Sequence, residues 1–245
     1  LTKQVIRDAA SYAFELDEAY TNISKTMNIS AGEFDTWVDK AKDMADANGV
    51  ATSSVTDMMK IYAQAGADMD SINAQLEGAT AFMNVSGLDA TTVANSLQSI
   101  MNQYKMTSDS AIITASNIEH LGNVMTAVAY SLSKDETLAM QDIIAGIEGA
   151  GAVVNSAGGE FEWFTAVIGT LSEQMGATGD ETANAMKMIA ARTLQSKEAI
   201  AELAKTPEEL AEMEIAASNA EKALDSIGVS AREQDGAFKD LDDIL

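Results

Sequence analysis

Val55-Thr56-Asp57-Met58-Met59-Lys60-Ile61-Tyr62-Ala63-Gln64-Ala65-Gly66 sets Val55, Met58, Met59, Tyr62 and Ala63 at i, i+3, i+4, i+7 and i+8 and then stops on a glycine. That spacing draws one apolar face on a helix of 3.6 residues per turn, and the glycine accepts the left-handed turn that closes it. From about Tyr62 to Leu245 the same grammar recurs: an alanine-rich apolar stretch ends on a glycine, and a Ser, Thr or Asp opens the next. Many short amphipathic helices joined by tight corners are the expected result.

Toward the N-terminus, Val5, Ala9, Tyr12, Leu16, Tyr20, Ile23 and Met27 predict a long first helix. Ser30 with Glu33 predicts a capping box, Phe34, Trp37, Val38 and Ala41 the buried stripe behind it, and Asn48-Gly49 its end. Ile72, Leu76, Thr80 and Met83 mark a helix ending near Gly87, and Asp89 opens another with Val93, Leu97, Ile100, Met101 and Tyr104 inward. Thr107 or Ser108 is expected to cap a stretch from about Asp109 to Ser131, with Leu121, Met125 and Val128 on one face and Gly122 permitting a kink or a close approach.

Further along, Ser133 and Glu136 read as another capping box before the stripe Met140, Ile143, Ile144 and Ile147. Gly146, Gly149, Gly151, Gly158 and Gly159 then suggest a corner or a flexible loop. Phe164, Val167, Ile168, Leu171 and Met175 predict a helix stopping at Gly176, and Thr178 with Glu181 caps the next, through Met186, Ile189 and Ala190. Thr206-Pro207-Glu208-Glu209 combines an N-cap, a proline at the first helical position and acids at the positive end of the dipole, so a helix should run to Ile227-Gly228. Beyond it, Asp235-Gly236 between Val229 and Phe238 reads as a short β-hairpin, or alternatively Ser230 and Glu233 cap one more helix.

Apolar residues make up 47% of the chain but aromatics only 5%, and alanine with 14 methionines fills the difference, small or pliable groups that let helices pack closely. A formal charge of −23 repels phosphate, which works against binding to nucleic acid or anionic lipid. The acids are dispersed, as on solvated helical faces, the alternative being a repulsive lining. With no cysteine there is no disulfide, thiolate nucleophile or Cys-based zinc site. No apolar run approaches the ~18 residues needed to cross a bilayer. The opening Leu1-Thr2-Lys3-Gln4 suggests a segment of a longer polypeptide.

Chemistry-bearing patterns are sparse. His120 is the lone imidazole and sits in an alanine-rich helical stretch, as surface or satisfied core histidines do. Glu160 and Glu162, in Gly158-Gly159-Glu160-Phe161-Glu162-Trp163-Phe164, are the best pair for a glycosidase, but acids two apart on a helix point to different faces. No catalytic, cofactor-binding or metal-ligating residue is expected. Phe161, Trp163 and Phe164 concentrate the few aromatics; core packing is the first reading, and a protein interaction surface the second.

Several segments, taken in order, resemble the tail tape measure proteins of long-tailed bacteriophages and prophages. They are Tyr62-Ala63-Gln64-Ala65-Gly66, Met83-Asn84-Val85-Ser86-Gly87, Val93-Ala94-Asn95-Ser96-Leu97 and the stretch from Gly179-Asp180-Glu181-Thr182 to Ala190-Ala191-Arg192. The ending carries most weight: Leu224-Asp225-Ser226-Ile227-Gly228-Val229, then Gly236-Ala237-Phe238-Lys239-Asp240-Leu241-Asp242-Asp243-Ile244-Leu245, is similar to the closing motif of that family's shared domain. The acidic stretch from Thr206 to Ala223 is longer than the family pattern leads one to expect. The resemblance implies a long helical protein that sets tail length during assembly, lies inside the tail tube and leaves ahead of the DNA at infection. It implies as partners the tail tube, tail tip or baseplate and assembly chaperone proteins and other copies of the chain. The implied location is the phage tail, after assembly in the host bacterial cytoplasm. No active site comes with it.

The expectation is therefore an all-α fold, an irregular multi-helix bundle with a small hairpin near the C-terminus. Its divisions would be residues 1–48, a long helix and a second helix; 49–205, a helical core domain; and 206–245, a capped helix and hairpin-like segment. The role is that of a structural, non-enzymatic tail component. A helical adaptor or secreted effector outside phage is the rival, and a peptidoglycan-degrading enzyme the third reading.

Overall fold

The computed structural model describes residues 14, 16–25, 27, 29–107 and 110–193. Among them every regular element is an α-helix and none is a strand, as the glycine-punctuated pattern predicts. Residues 16–25 are helical. They are followed by α1 (Ala31–Asn48), α2 (Thr52–Gln64), α3 (Met69–Ser86), α4 (Ala90–Gln103), α5 (Ala111–Ser131), α6 (Glu136–Ser156), α7 (Phe161–Met175) and α8 (Gly179–Thr193). The helix expected after Thr206 and the hairpin around Asp235-Gly236 lie outside the described residues, as do Ser108 and most of the first predicted helix.

The helix borders follow from local chemistry. At α1, Ser30 Oγ accepts the Glu33 N–H while Glu33 Oε2 accepts the Ser30 N–H at 2.7 Å, the reciprocal cap predicted for this pair. Asp68 and Asp89 cap α3 and α4 by accepting the N–H groups of Ser71 and Thr92 at 2.8 and 3.0 Å. Thr178 and Glu181 exchange the same pair of bonds before α8. The end of α4 differs: Lys105, not a glycine, takes the left-handed conformation at φ 55°, so no residue in the sequence marks that corner.

The chain packs as two compact units that divide after Ala127, inside α5. In the first, α2 is the central helix and touches α1, α3 and α4. Its stripe Val55, Met58, Met59, Tyr62 and Ala63 is buried throughout, together with Phe34, Trp37 and Val38 of α1 and Leu97, Ile100 and Met101 of α4. On the first part of α5, Gly122 meets the Phe82 side chain, where a methyl group would come within 3.3 Å; close approach is the role this glycine serves.

In the second unit α6 is central and packs on α7 and α8. Here the sequence expectation of a glycine-rich corner between Gly146 and Gly159 is corrected. α6 runs unbroken through Gly146, Gly149 and Gly151, and the corner is confined to Gly158-Gly159. The physical reason is packing: a Cβ on Gly146 would lie 2.8 Å from Ile168 of α7, and one on Gly149 would lie 2.6 Å from Cβ of Ala183 of α8. The missing side chains let both neighbours approach the α6 backbone.

Two smaller expectations also change. Asp135, not Ser133, caps α6, its carboxylate accepting the N–H groups of Thr137 and Leu138, both at 3.1 Å. On α7 the buried face is Phe161, Phe164, Thr165, Ile168, Gly169 and Ser172, whereas Met175, expected inward, is 75% exposed. Small residues take the inner positions because Val128 of α5 packs directly over Gly169.

Candidate functional site

The aromatic cluster sits at the α6–α7 corner. Gly158 turns the chain at φ 81°, and the Gly159 N–H donates back to the Val154 carbonyl at 2.9 Å. A Cβ at Gly159 would lie 2.6 Å from Val154 and 3.4 Å from the Trp163 ring, so the indole rests over a position only glycine can fill. Glu160 then starts α7 from an extended conformation, its carbonyl accepting the Phe164 N–H at 3.0 Å.

The result splits the three aromatics. Phe161 and Phe164 are 1% and 0% exposed, core side chains of the second unit, while Trp163 is half-buried at the rim. Thr165 shares the inner face without loss, because its hydroxyl donates to the Phe161 carbonyl at 2.7 Å. Of the residues proposed for contact with a partner, Trp163 is the one with surface to offer.

Beyond the corner lies a polar network whose long-range pairing sequence reasoning missed. Lys134, in the loop before α6, donates to Asp142 Oδ2 of α6 at 2.6 Å and to the hydroxyl of Ser172 on α7. Asp142 Oδ1 accepts the Gly179 N–H at the start of α8 at 3.0 Å. One carboxylate thus ties the loop to α8, and one ammonium ties α6 to α7. Beside them the Ser133 N–H donates to Glu173 Oε2 at 2.8 Å. Hydrogen bonding by Ser133 side chain and backbone, with Lys134 nearby, holds the Glu173 carboxyl below the usual range. The sequence did single out Ser133, for a cap; no periodicity signals a partner 40 residues away.

Gly179 completes this arrangement. A Cβ there would fall inside van der Waals contact of the Asp142 carbonyl oxygen and 2.8 Å from the Gly146 amide nitrogen, so α8 begins directly against the α6 backbone. The arrangement clamps three helices, with the Lys134 ammonium held by the Asp142 carboxylate and donating to the Ser172 hydroxyl.

The other candidates are dispersed. His120 is exposed on α5, and Glu160 and Glu162 both lie at the start of α7, Glu160 exposed there. Among the described residues no group of three or more His, Cys, Asp or Glu side chains could hold a metal ion. The expectation that nothing is long and apolar enough to span a bilayer is modified by α6. Its 21 residues pass that test by length and composition, because Ile143, Ile144, Ile147, Val153, Val154 and the alanines between its acids raise the mean hydropathy; half of the apolar window is buried inside the protein.

Residues 38–245 match the family model of the phage-related minor tail protein. No solved structure matches the chain.

Proposed function

The chain belongs to the phage-related minor tail protein family, a structural component of the virion tail that works against other tail proteins, and from that premise we propose that it is a segment of a tape measure protein. Such a protein sets tail length during assembly and is released through the tail at infection. The observation that carries the proposal is the family match over residues 38–245, joined to the run of tape-measure-like segments that ends at Asp243-Ile244-Leu245. The stacked helices support a building part: the Lys134–Asp142 network ties the loop before α6 to α6, α7 and α8.

A helix measures length only when extended, at ~1.5 Å per residue. Folded back as compact units, the described helices are instead a docking or folding module beside the ruler. Trp163 is the side chain of the expected aromatic surface that would meet a tail tube, tail tip or baseplate, or chaperone protein, or another copy. The acidic surface disfavours binding to DNA through its backbone.

Release separates a tape measure from a tail protein that stays in place. Quantitative mass spectrometry of purified tails, before and after triggered DNA ejection, should show peptides of residues 38–193 lost from emptied tails. Retention at unchanged stoichiometry would refute the tape measure reading and leave the family membership standing.

A further inference from the structure

In the first unit a solvent-open groove of about 770 Å³ lies where the turn after α2 meets the first turns of α3, the end of α4 and the start of α5. That volume falls within the ~300–1,000 Å³ of clefts that enclose a drug-sized ligand, room for a short peptide rather than one side chain. Its walls carry one carboxylate, Asp68, and three carboxamides, Gln75, Gln98 and Asn102; among the described residues no Lys, Arg or His lines it.

Gln75 is the informative residue. It is 3% exposed, yet its Oε1 has no hydrogen-bond partner. Buried carbonyls are nearly always paired, and an orphan beside a groove marks a place where a donor is wanted. On α4, Gln98 Nε2 donates to Asn102 Oδ1 at 3.3 Å, which leaves the Gln98 carbonyl and the Asn102 amino group with capacity for another partner. A row of groups that both donate and accept is the complement of peptide backbone, as in other modes that recognise extended chains. At the mouth, Asp68 spends Oδ1 on the Ser71 N–H at 2.8 Å, and its backbone bonding keeps the carboxyl ionised below its usual range. The charge of −23 on the whole chain adds a field that draws cationic segments toward it.

We infer that this groove docks a short extended peptide segment of another protein, its backbone paired with Gln98 and Asn102, the buried Gln75 carboxamide turning outward to accept one further N–H, and a lysine or arginine side chain facing Asp68. The inference needs only the first unit and stands whether or not the chain is a tape measure protein.

The test titrates the isotope-labelled full chain with acetyl-Ala-Arg-Ala-amide, its glutamate counterpart and guanidinium ion alone, following amide chemical shifts. Saturable shifts confined to residues 66–75 and 98–102 are expected with the basic peptide. They should be absent with the acidic one and need about tenfold higher concentration with guanidinium, which lacks the backbone groups. Asp68→Asn keeps an oxygen for the cap and should weaken binding about fivefold, the scale of one exposed ion pair. Gln98→Ala, at a half-buried position that does not threaten folding, should weaken it similarly, and Gln75→Met should weaken it most. No saturable response, equal response to the acidic peptide or to guanidinium, or shifts spread evenly over the acidic helices would overturn the proposal, as would a response unchanged in Asp68→Asn and Gln98→Ala.

Discussion

Replacing Gly179 with alanine puts a methyl group where α6 has its own backbone. The new carbon would meet the Asp142 carbonyl oxygen inside contact distance, the Gly146 nitrogen at 2.8 Å and the Asp142 carbonyl carbon at 2.9 Å, atoms that cannot swing aside as a side chain can. Restoring a normal separation moves the start of α8 outward by about 1 Å. Overpacking of this kind costs ~1–3 kcal/mol. The same movement stretches the 3.0 Å bond from the Gly179 N–H to Asp142 beyond useful length. A bond to a charged acceptor adds ~1.5–3 kcal/mol, and the helix preference of alanine returns at most ~1 kcal/mol. The net expectation is a loss of about 3 kcal/mol, or roughly a hundredfold in the opening equilibrium of the second unit. Native-state hydrogen exchange, resolved by mass spectrometry, reads this helix by helix. Amides of α6–α8 should exchange roughly a hundredfold faster, while those of α1–α4 stay unchanged. As a control of opposite sign, Gly32→Ala on α1, where a Cβ meets no atom within 4 Å, should slow exchange of that helix. Exchange in α6–α8 within about threefold of the parent, or equal loosening of α1–α4, would refute the packing argument.

Two further outcomes test the polar network. Lys134→Met strips Asp142 and Ser172 of their shared donor at a site where the ion-paired side chains are 29% and 27% exposed; thermal unfolding should show a loss of ~1–3 kcal/mol, and combining it with Asp142→Asn should cost less than the sum of the two, strict additivity being the contrary result. The Glu173 carboxyl titrates below its ordinary 4.5 in the folded chain, so its stabilisation is complete above that value and is lost as pH falls through the lower, folded one. The stability difference between the parent and Glu173→Gln, measured by urea unfolding, should be constant from about pH 7 to 5 and shrink below pH 4.5. Taking the difference cancels the relief of overall charge repulsion, and a gap that widens on acidification would contradict the assignment.

Much of the helical framework is legible in the residue pattern. The stripes of α1 through α4 face inward as expected because in each the apolar period is long and unambiguous, and the caps at Ser30, Asp89 and Thr178 are contacts between residues three apart. The candidate site is legible only in part. Phe161-Glu162-Trp163-Phe164 stands out by composition, but which aromatics are core and which keeps a surface depends on the corner at Gly158-Gly159.

What the order of residues determines alone is everything that acts within one helical turn: the all-α class, the breaks at Gly49, Gly66, Gly87 and Gly176, and the inward face of most helices. Every role that requires a second helix is settled by packing instead. Gly146, Gly149 and Gly179 look like turn residues in a string of letters, yet Gly146 and Gly149 leave room for the side chains of Ile168 and Ala183 and Gly179 lies against the α6 backbone, and Lys134, Asp142 and Glu173 look like solvated charges, yet they join elements up to 40 residues apart. The reason is that a glycine or a charge carries no label for its neighbour. The local chain sets its conformation, and the partner that packs against it sets its purpose.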